Sequence, residues 1–379
     1  MTDTYGWNTR SFLTSERHKR VTVVRWGAWG DTVIITPLLS RLKQDGFYVT
    51  LQTNPTGREC LKHSPNVDKF EIMDPGSLGG RTPEETGKKI SEYLVRLARE
   101  RVANGEEFIN LNQSIEEKFM ISSNSERDEG WQEKKDEWNT DINYFDYALE
   151  LGGYKTNGER VLPEFHMSTM EKKQGFSFRK KYKKHFVIML ALEGSSPNKV
   201  YPWWFAVFKK LFFETEKRGQ KITLLTVGSY TATLLERGLV DFMDEWKHRI
   251  VRRAGLWTHR KSCLMTAFVD LVVGPETGVL VTSGCFKTPK LALLTHSNKN
   301  NWPKYFLNDF SLQSPADCSP CHRIVHERAH CPESSEEPFS VKCMGDFPPI
   351  PIHNIIAKIY KKRDVFRKKF SKGGYYGFQ

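Results

Sequence analysis

The sequence predicts an α/β protein made of two doubly wound, Rossmann-like domains. Two observations carry this. Short apolar runs alternate with helix-period stretches from Val21 to Asn112, and the alternation starts again at His185. The restarting run, HFVIMLAL at 185–192, is apolar almost throughout, as a parallel strand buried on both faces requires. The expected organisation is a domain over 1–160, a second over 161–355 with a cysteine-rich segment at 317–344, and a basic helix or tail over 356–379. A cleft between two such domains is the expected ligand site.

Residues 1–20 are polar and read as an irregular arm. VTVVR (21–25) is the first strand, followed by a glycine turn (Gly27, Gly30), one acid (Asp31) and a helix. Ile34, Leu38 and Leu42 recur every four residues and share a face of that helix. Gly46 ends it, and FYVTLQT (47–53) is a second strand. A short helix from Gly57 to His63, a turn and a third strand within 64–74, a loop at 75–85, a helix from Glu84 to Arg101 and a strand at 107–112 follow. The polar stretch 122–142 reads as a surface insertion.

In the second half, 166–184 is a basic helical stretch and EGSSPNK (193–199) a loop of small polar residues. The helix 201–219 opens on Pro202, where proline is tolerated. A strand at 221–228, helices from Tyr230 to Trp246 and from His259 to Phe268, a strand with a glycine turn at 270–278, and a strand at 290–295 complete the pattern.

Composition narrows the function. The chain has 379 residues, 39% of them hydrophobic and 12% aromatic, which is enough for full cores and argues against wholesale disorder. The net charge of +12 points to acidic partners: phosphates, nucleic acid or anionic lipid. No run approaches the length of a membrane span, and the first 20 residues lack the apolar core of a signal peptide. The expected location is the cytoplasm, where seven cysteines are mostly thiols or metal ligands.

Four stretches, taken together and in order, resemble the heptosyltransferase family, sugar-nucleotide glycosyltransferases of the GT-B fold that act on lipopolysaccharide core. They are VVRWGAWGDTVIITPLLSRLK (23–43), LEGSSPNKVYPWWFAVFKKL (192–211), DLVVGPETGVLVTSGCFKTPKLALL (270–294) and DCSPCHRIVHERAHCPESSEEPFSVKCM (317–344). The resemblance implies an inverting transfer from a nucleotide-diphospho-sugar held mainly by the C-terminal domain. It departs from the family twice. Glu276 replaces the usual Asp, and Val281 stands where a His is typical.

The resemblance also implies roles. Asp31 matches the Gly-Asp position, where the acid takes a proton from the acceptor hydroxyl. On residue type alone an Asp at a helix start is first a cap. Lys199 matches the phosphate-contacting lysine that stabilises the leaving group. Donor contacts are expected from Gly30, Ser195, Ser196, Gly228, Tyr230, Glu276, Thr277 and Gly278. Tyr230 is either a stacking partner for the base or core packing. No Asp-x-Asp pair occurs, so no metal cofactor is required for catalysis.

Two stretches stand apart. Cys318, Cys321, Cys331 and Cys343 offer either a four-sulfur structural zinc site, with His322, His326 and His330 nearby, or a reduced, packed segment. Cys60, Cys263 and Cys285 lie in apolar contexts and read as core. From Lys358 to Lys372 the chain holds eight Lys/Arg against one Asp. It is either a closing helix docked on the N-terminal domain or an anion-binding tail for a phosphorylated glycolipid at the inner membrane face or for nucleic acid. The expected acceptor is a glycan or phosphorylated glycolipid hydroxyl. A hydroxymethylated DNA base is the alternative, as is an inactive sugar-nucleotide-binding relative.

Overall fold

A computed structural model describes residues 19–80, 82–119, 121–122, 140–196, 199–324, 331, 333 and 341–371. The expected N-terminal arm, most of the insertion at 122–142, His326, His330 and the last eight residues lie outside that set. The chain folds as two compact units. Residues up to 118 together with 142–166 form one, and 119–141 with 167 onward form the other.

The first unit holds a four-stranded parallel sheet in the order β3-β2-β1-β4, from β1 (Arg20–Arg25), β2 (Tyr48–Thr53), β3 (Lys69–Ile72) and β4 (Glu107–Asn110). The last five residues of β1 and of β2 are all buried, as central parallel strands require. The helix expected after β1 comes as two, Trp29–Ile34 and Thr36–Gln44. Pro37 is the cause. It has no N–H to give the carbonyl of Val33, and the Thr36 hydroxyl donates there instead, at 2.7 Å.

The second unit holds a six-stranded parallel sheet in the order β11-β10-β9-β6-β7-β8. Its strands are β6 (Phe186–Ala191), β7 (Ile222–Val227), β8 (Ile250–Arg252), β9 (Leu271–Pro275), β10 (Lys290–Leu294) and β11 (Leu312–Gln313). Two-residue strands β5 (Ile121–Ser122) and β12 (Arg323–Ile324) pair separately. The Asp141 carboxylate accepts from the side-chain amides of Asn298 and Asn300, so both ends of the 120–140 stretch are tied to this unit.

The basic C-terminal stretch is two helices, Pro349–Lys361 and Arg363–Ser371. The first packs on helix Trp204–Glu216, with His353 3.3 Å from Glu214, and runs across the expected boundary at 355. In the second, the Arg367 guanidinium donates to both oxygens of buried Asp270, which Arg179 also grips, and to the carbonyl of His185. Phe366 meets Phe310 edge-on. These contacts are with the second unit's own elements. One cation of the proposed tail is thereby part of a buried ion cluster.

Candidate active site

Each sheet reverses its strand order once, and ligands of open α/β sheets bind outside the carboxyl ends of the strands at such a point. In the first unit the reversal lies between β1 and β4. The turn after β1 carries Asp31, and the segment after β4 carries Glu116. In the second unit it lies between β6 and β9, followed by the Lys199 loop and by Glu276-Thr277-Gly278. In the second unit the topology therefore brings predicted residues far apart in sequence to one edge of the sheet.

Asp31 sits in the first turn of helix Trp29–Ile34, and its Oδ2 accepts the Ala28 N–H at 2.8 Å. That is the capping role. The side chain remains 26% exposed, so the cap does not enclose it. A Cβ at Gly27 would lie 2.8 Å from Asp31 Oδ2, so only glycine lets the carboxylate fold back over the turn. The Asn54 side-chain amide donates to the Gly27 carbonyl at 2.9 Å and fixes the turn from the β2 side. Gly30 lies in the same helical turn, on the first unit, whereas every other predicted donor contact is on the second.

Beneath Asp31 is a group that the sequence reading missed. Arg25, at the end of β1, has a side chain only 1% exposed. Its Nη1 donates to the Leu111 carbonyl at 2.8 Å, and its two terminal nitrogens grip Glu116 at 3.1 and 2.8 Å. Nη2 also stands 3.5 Å from Asp31 Oδ1. Burial alone would lower the guanidinium's pKa; Glu116 and Asp31 outweigh that, so Arg25 is held charged. The available signal was an arginine closing an apolar strand, which must find a counter-charge.

In the second unit the Lys199 loop closes on itself: Lys199 N–H donates to the Ser196 carbonyl and Gly194 N–H to the Lys199 carbonyl. Ser195 is exposed and Ser196 half-buried. A Cβ at Gly194 would lie 2.6 Å from the Lys199 stem and 3.1 Å from the Glu276 carbonyl. Lys199 is thus laid across Gly194 beside the Glu276 turn, so the structure brings these two predicted residues together.

Glu276 is buried and saturated. Oε2 accepts from the N–H and hydroxyl of Thr295 and the N–H of His296, at 3.0, 2.9 and 3.2 Å. Oε1 accepts from the N–H and hydroxyl of Ser297 and from Trp302 Nε1. His296 Nδ1 lies 2.7 Å away. Burial pushes its pKa up; His296, Lys199 and Ser297 outweigh that and hold it far below the usual carboxylate range. A carboxylate so engaged anchors the 295–302 loop. Thr277 caps the next helix by accepting from Leu280 N–H, with Gly278 the first helical residue.

The turn after β7 shows a further cross-link. Glu193 accepts from the hydroxyls of Ser229 and Thr231 on either side of Tyr230, tying the ends of β6 and β7 together. Tyr230 itself is 82% exposed, so the core-packing alternative does not hold. Gly228 passes so close to Ala232 that a Cβ would collide with it.

Cys60, Cys263 and Cys285 are buried core, as expected. Cys318, Cys321, Cys331 and Cys343 are free thiols, and burial pushes each upward, Cys321 to about 12. Among the described residues, no three His, Cys, Asp or Glu side chains form a metal-holding group. Beyond burial, the Cys318, Cys321 and Cys331 thiols each add to the rise at Cys343.

No protein-family model matches the sequence, and no curated protein does. The fold is similar to solved structures. A family 9 glycosyl transferase from Veillonella parvula superposes with a TM-score of 0.61 at 14% identity, over 91% of this chain and 98% of the other. The ADP-heptose lipopolysaccharide heptosyltransferase II of E. coli gives 0.57 at 12%, over 91% and 99%. The iron-containing dodecameric glycosyltransferase TibC of enterotoxigenic E. coli gives 0.55 at 10%, over 91% and 77%. At these identities the likeness shows the fold, which is the GT-B class expected from the sequence.

Proposed function

We propose that this protein is an inverting glycosyltransferase that moves a sugar from a nucleoside-diphosphate donor to a hydroxyl of an anionic glycan or glycolipid without a metal ion. The observation that carries the reading is the placement of Asp31, Lys199 and Thr277-Gly278 beside the switch points of a glycosyltransferase fold. Asp31 takes the acceptor proton as that oxygen attacks the anomeric carbon from the face opposite the diphosphate. The bond to the diphosphate breaks, and Lys199 balances the charge left on it. Glu276 acts behind Lys199, holding the loop rather than the donor. Tyr230 offers an exposed ring for the base to stack on. The net charge of +12 suits an anionic acceptor. Among the described residues no helix is long and apolar enough to cross a membrane.

The test is to incubate the protein with ADP-heptose, UDP-glucose and GDP-mannose and measure released nucleoside diphosphate. Transfer to lipopolysaccharide core oligosaccharide and to hydroxymethylated DNA is scored next. Donor turnover with transfer to the oligosaccharide supports the reading. Transfer only to DNA moves the acceptor to nucleic acid, and no turnover with any donor contradicts it.

A further inference from the structure

The first sheet's switch point holds a charge arrangement that an N-cap does not need. Arg25 leaves β1, Glu116 lies just beyond β4, and Asp31 is on the helix between them. The guanidinium cannot shift toward Asp31, because Leu111 and Glu116 hold it through three hydrogen bonds of 2.8–3.1 Å. It meets Asp31 only at 3.5 Å, longer than a charge-assisted hydrogen bond of about 2.7–2.9 Å. Asp31 is therefore steered from one side by a cation and from the other by the Ala28 N–H, while a quarter of it stays in solvent.

We propose that Arg25 and Glu116 form a clamp that positions Asp31 as the base. Arg25 keeps the carboxylate ionised and aimed, and Glu116 offsets the guanidinium charge so that Asp31 is still able to accept a proton. Two considerations support a clamp over a purely structural ion pair. A buried pair alone is often replaceable by apolar packing at no cost. This one is turned toward the single partly exposed acid of the β1 turn and spans the two strands that flank the switch point. The roles follow from charge. Without Glu116, Arg25 would have Asp31 as its nearest counter-ion, and the base would be weakened by a full positive charge. Without Arg25, Glu116 and Asp31 would be like charges with nothing between them.

This inference rests on Asp31 being the base, so the experiment separates the two. Asp31→Asn, Glu116→Gln, Arg25→Gln, Arg25→Lys and Arg25→Gln/Glu116→Gln are compared with wild type for kcat, donor KM and Tm. The donor is whichever of the three sugar nucleotides is turned over. The clamp predicts that Glu116→Gln lowers kcat about tenfold with donor KM within about twofold. Arg25→Lys, which keeps the charge but loses the fork, should fall between wild type and Glu116→Gln. The double variant should lose less than the product of the separate losses, since the two groups act as a unit. If Asp31→Asn is inactive while Glu116→Gln and Arg25→Lys keep wild-type kcat and lose only Tm, the clamp is wrong and the base stands. If Asp31→Asn keeps its turnover, both fall. The ¹³C carboxyl resonance of Asp31, identified by its loss in Asp31→Asn, gives a reading that needs no donor. It should move in Glu116→Gln and Arg25→Lys; an unmoved resonance overturns the clamp.

Discussion

Asp31 and Glu276 each follow a buried parallel strand at the switch point of its own sheet, Asp31 in the first turn of a short helix and Glu276 just before one. From there they diverge. Glu276 receives six hydrogen-bonding groups from one loop and has a side chain only 4% exposed. Asp31 accepts the Ala28 N–H, leans on a cation at 3.5 Å and keeps a quarter of its surface in solvent. A carboxylate whose oxygens are filled cannot take a proton from a substrate without breaking what fills them. One that is oriented but still reachable can. The same residue class beside a switch point thus divides into an anchor and a candidate base, and burial together with partners separates the two.

The comparison breaks first at Glu276. Glu276→Gln puts an amide among six donors and leaves His296 and Lys199 without their counter-charge. A stability loss of about 3–5 kcal/mol at pH 7 is expected by denaturant titration, as for other broken buried pairs. The sign with pH follows from the depressed pKa. Glu276 contributes its full stabilisation above the ordinary Glu range, and this is lost progressively as pH falls below about 4.5. The gap between variant and wild type should therefore narrow in acid. A constant gap would mean that shape, not charge, matters at this position.

Lys199→Gln should leave the fold intact, because the half-buried side chain lies over a glycine rather than in the core. Turnover should fall about 10²–10³-fold, as when one charge-stabilising group is removed. Comparable loss of Tm instead would assign Lys199 to the Glu276 anchor. Tyr230→Ala should raise donor KM by about 10–100-fold, the effect of losing one aromatic stacking partner, with Tm unchanged at so exposed a site. A drop in Tm without a change in KM would remove the stacking role. The smallest effect is expected from chelator. Transfer should survive EDTA, and activity restored only by Mg²⁺ or Mn²⁺ would contradict the metal-free reading. Loss reversed only by Zn²⁺ would return Cys318, Cys321, Cys331 and Cys343 to a structural metal site.

Much of the fold was legible because parallel strands buried on both faces write themselves as unbroken apolar runs. VTVVR, FVIMLA and LALL are examples. What escaped was short or non-local. The three residues of β8 and two of β11 carry no period, and are strands only because a longer neighbour offers a register. The helix break at Ile35 was visible in Pro37, but that the Thr36 hydroxyl would take over the Val33 carbonyl was not. At the site, the motif led to Asp31, Lys199 and the Thr277-Gly278 turn. Glu276 and Tyr230 were named too, but the anchoring of the one and the exposure of the other needed coordinates, since six donors from 295–302 and a bare ring are invisible in a motif. Arg25 was readable as an unpaired charge in a strand, whereas its partner lies 91 residues away.

The most direct test of the account is the transfer rate of Asp31→Asn measured beside its donor affinity and Tm. The substitution keeps the shape of the side chain and an oxygen for the Ala28 N–H, so Tm should fall by no more than the loss of a cap worth about 1 kcal/mol would cause. Donor affinity should hold while kcat falls about 10²–10⁴-fold, as for a positioned base. Near-normal kcat with a lowered Tm would make Asp31 a second anchor, like Glu276, and would contradict the division drawn between them.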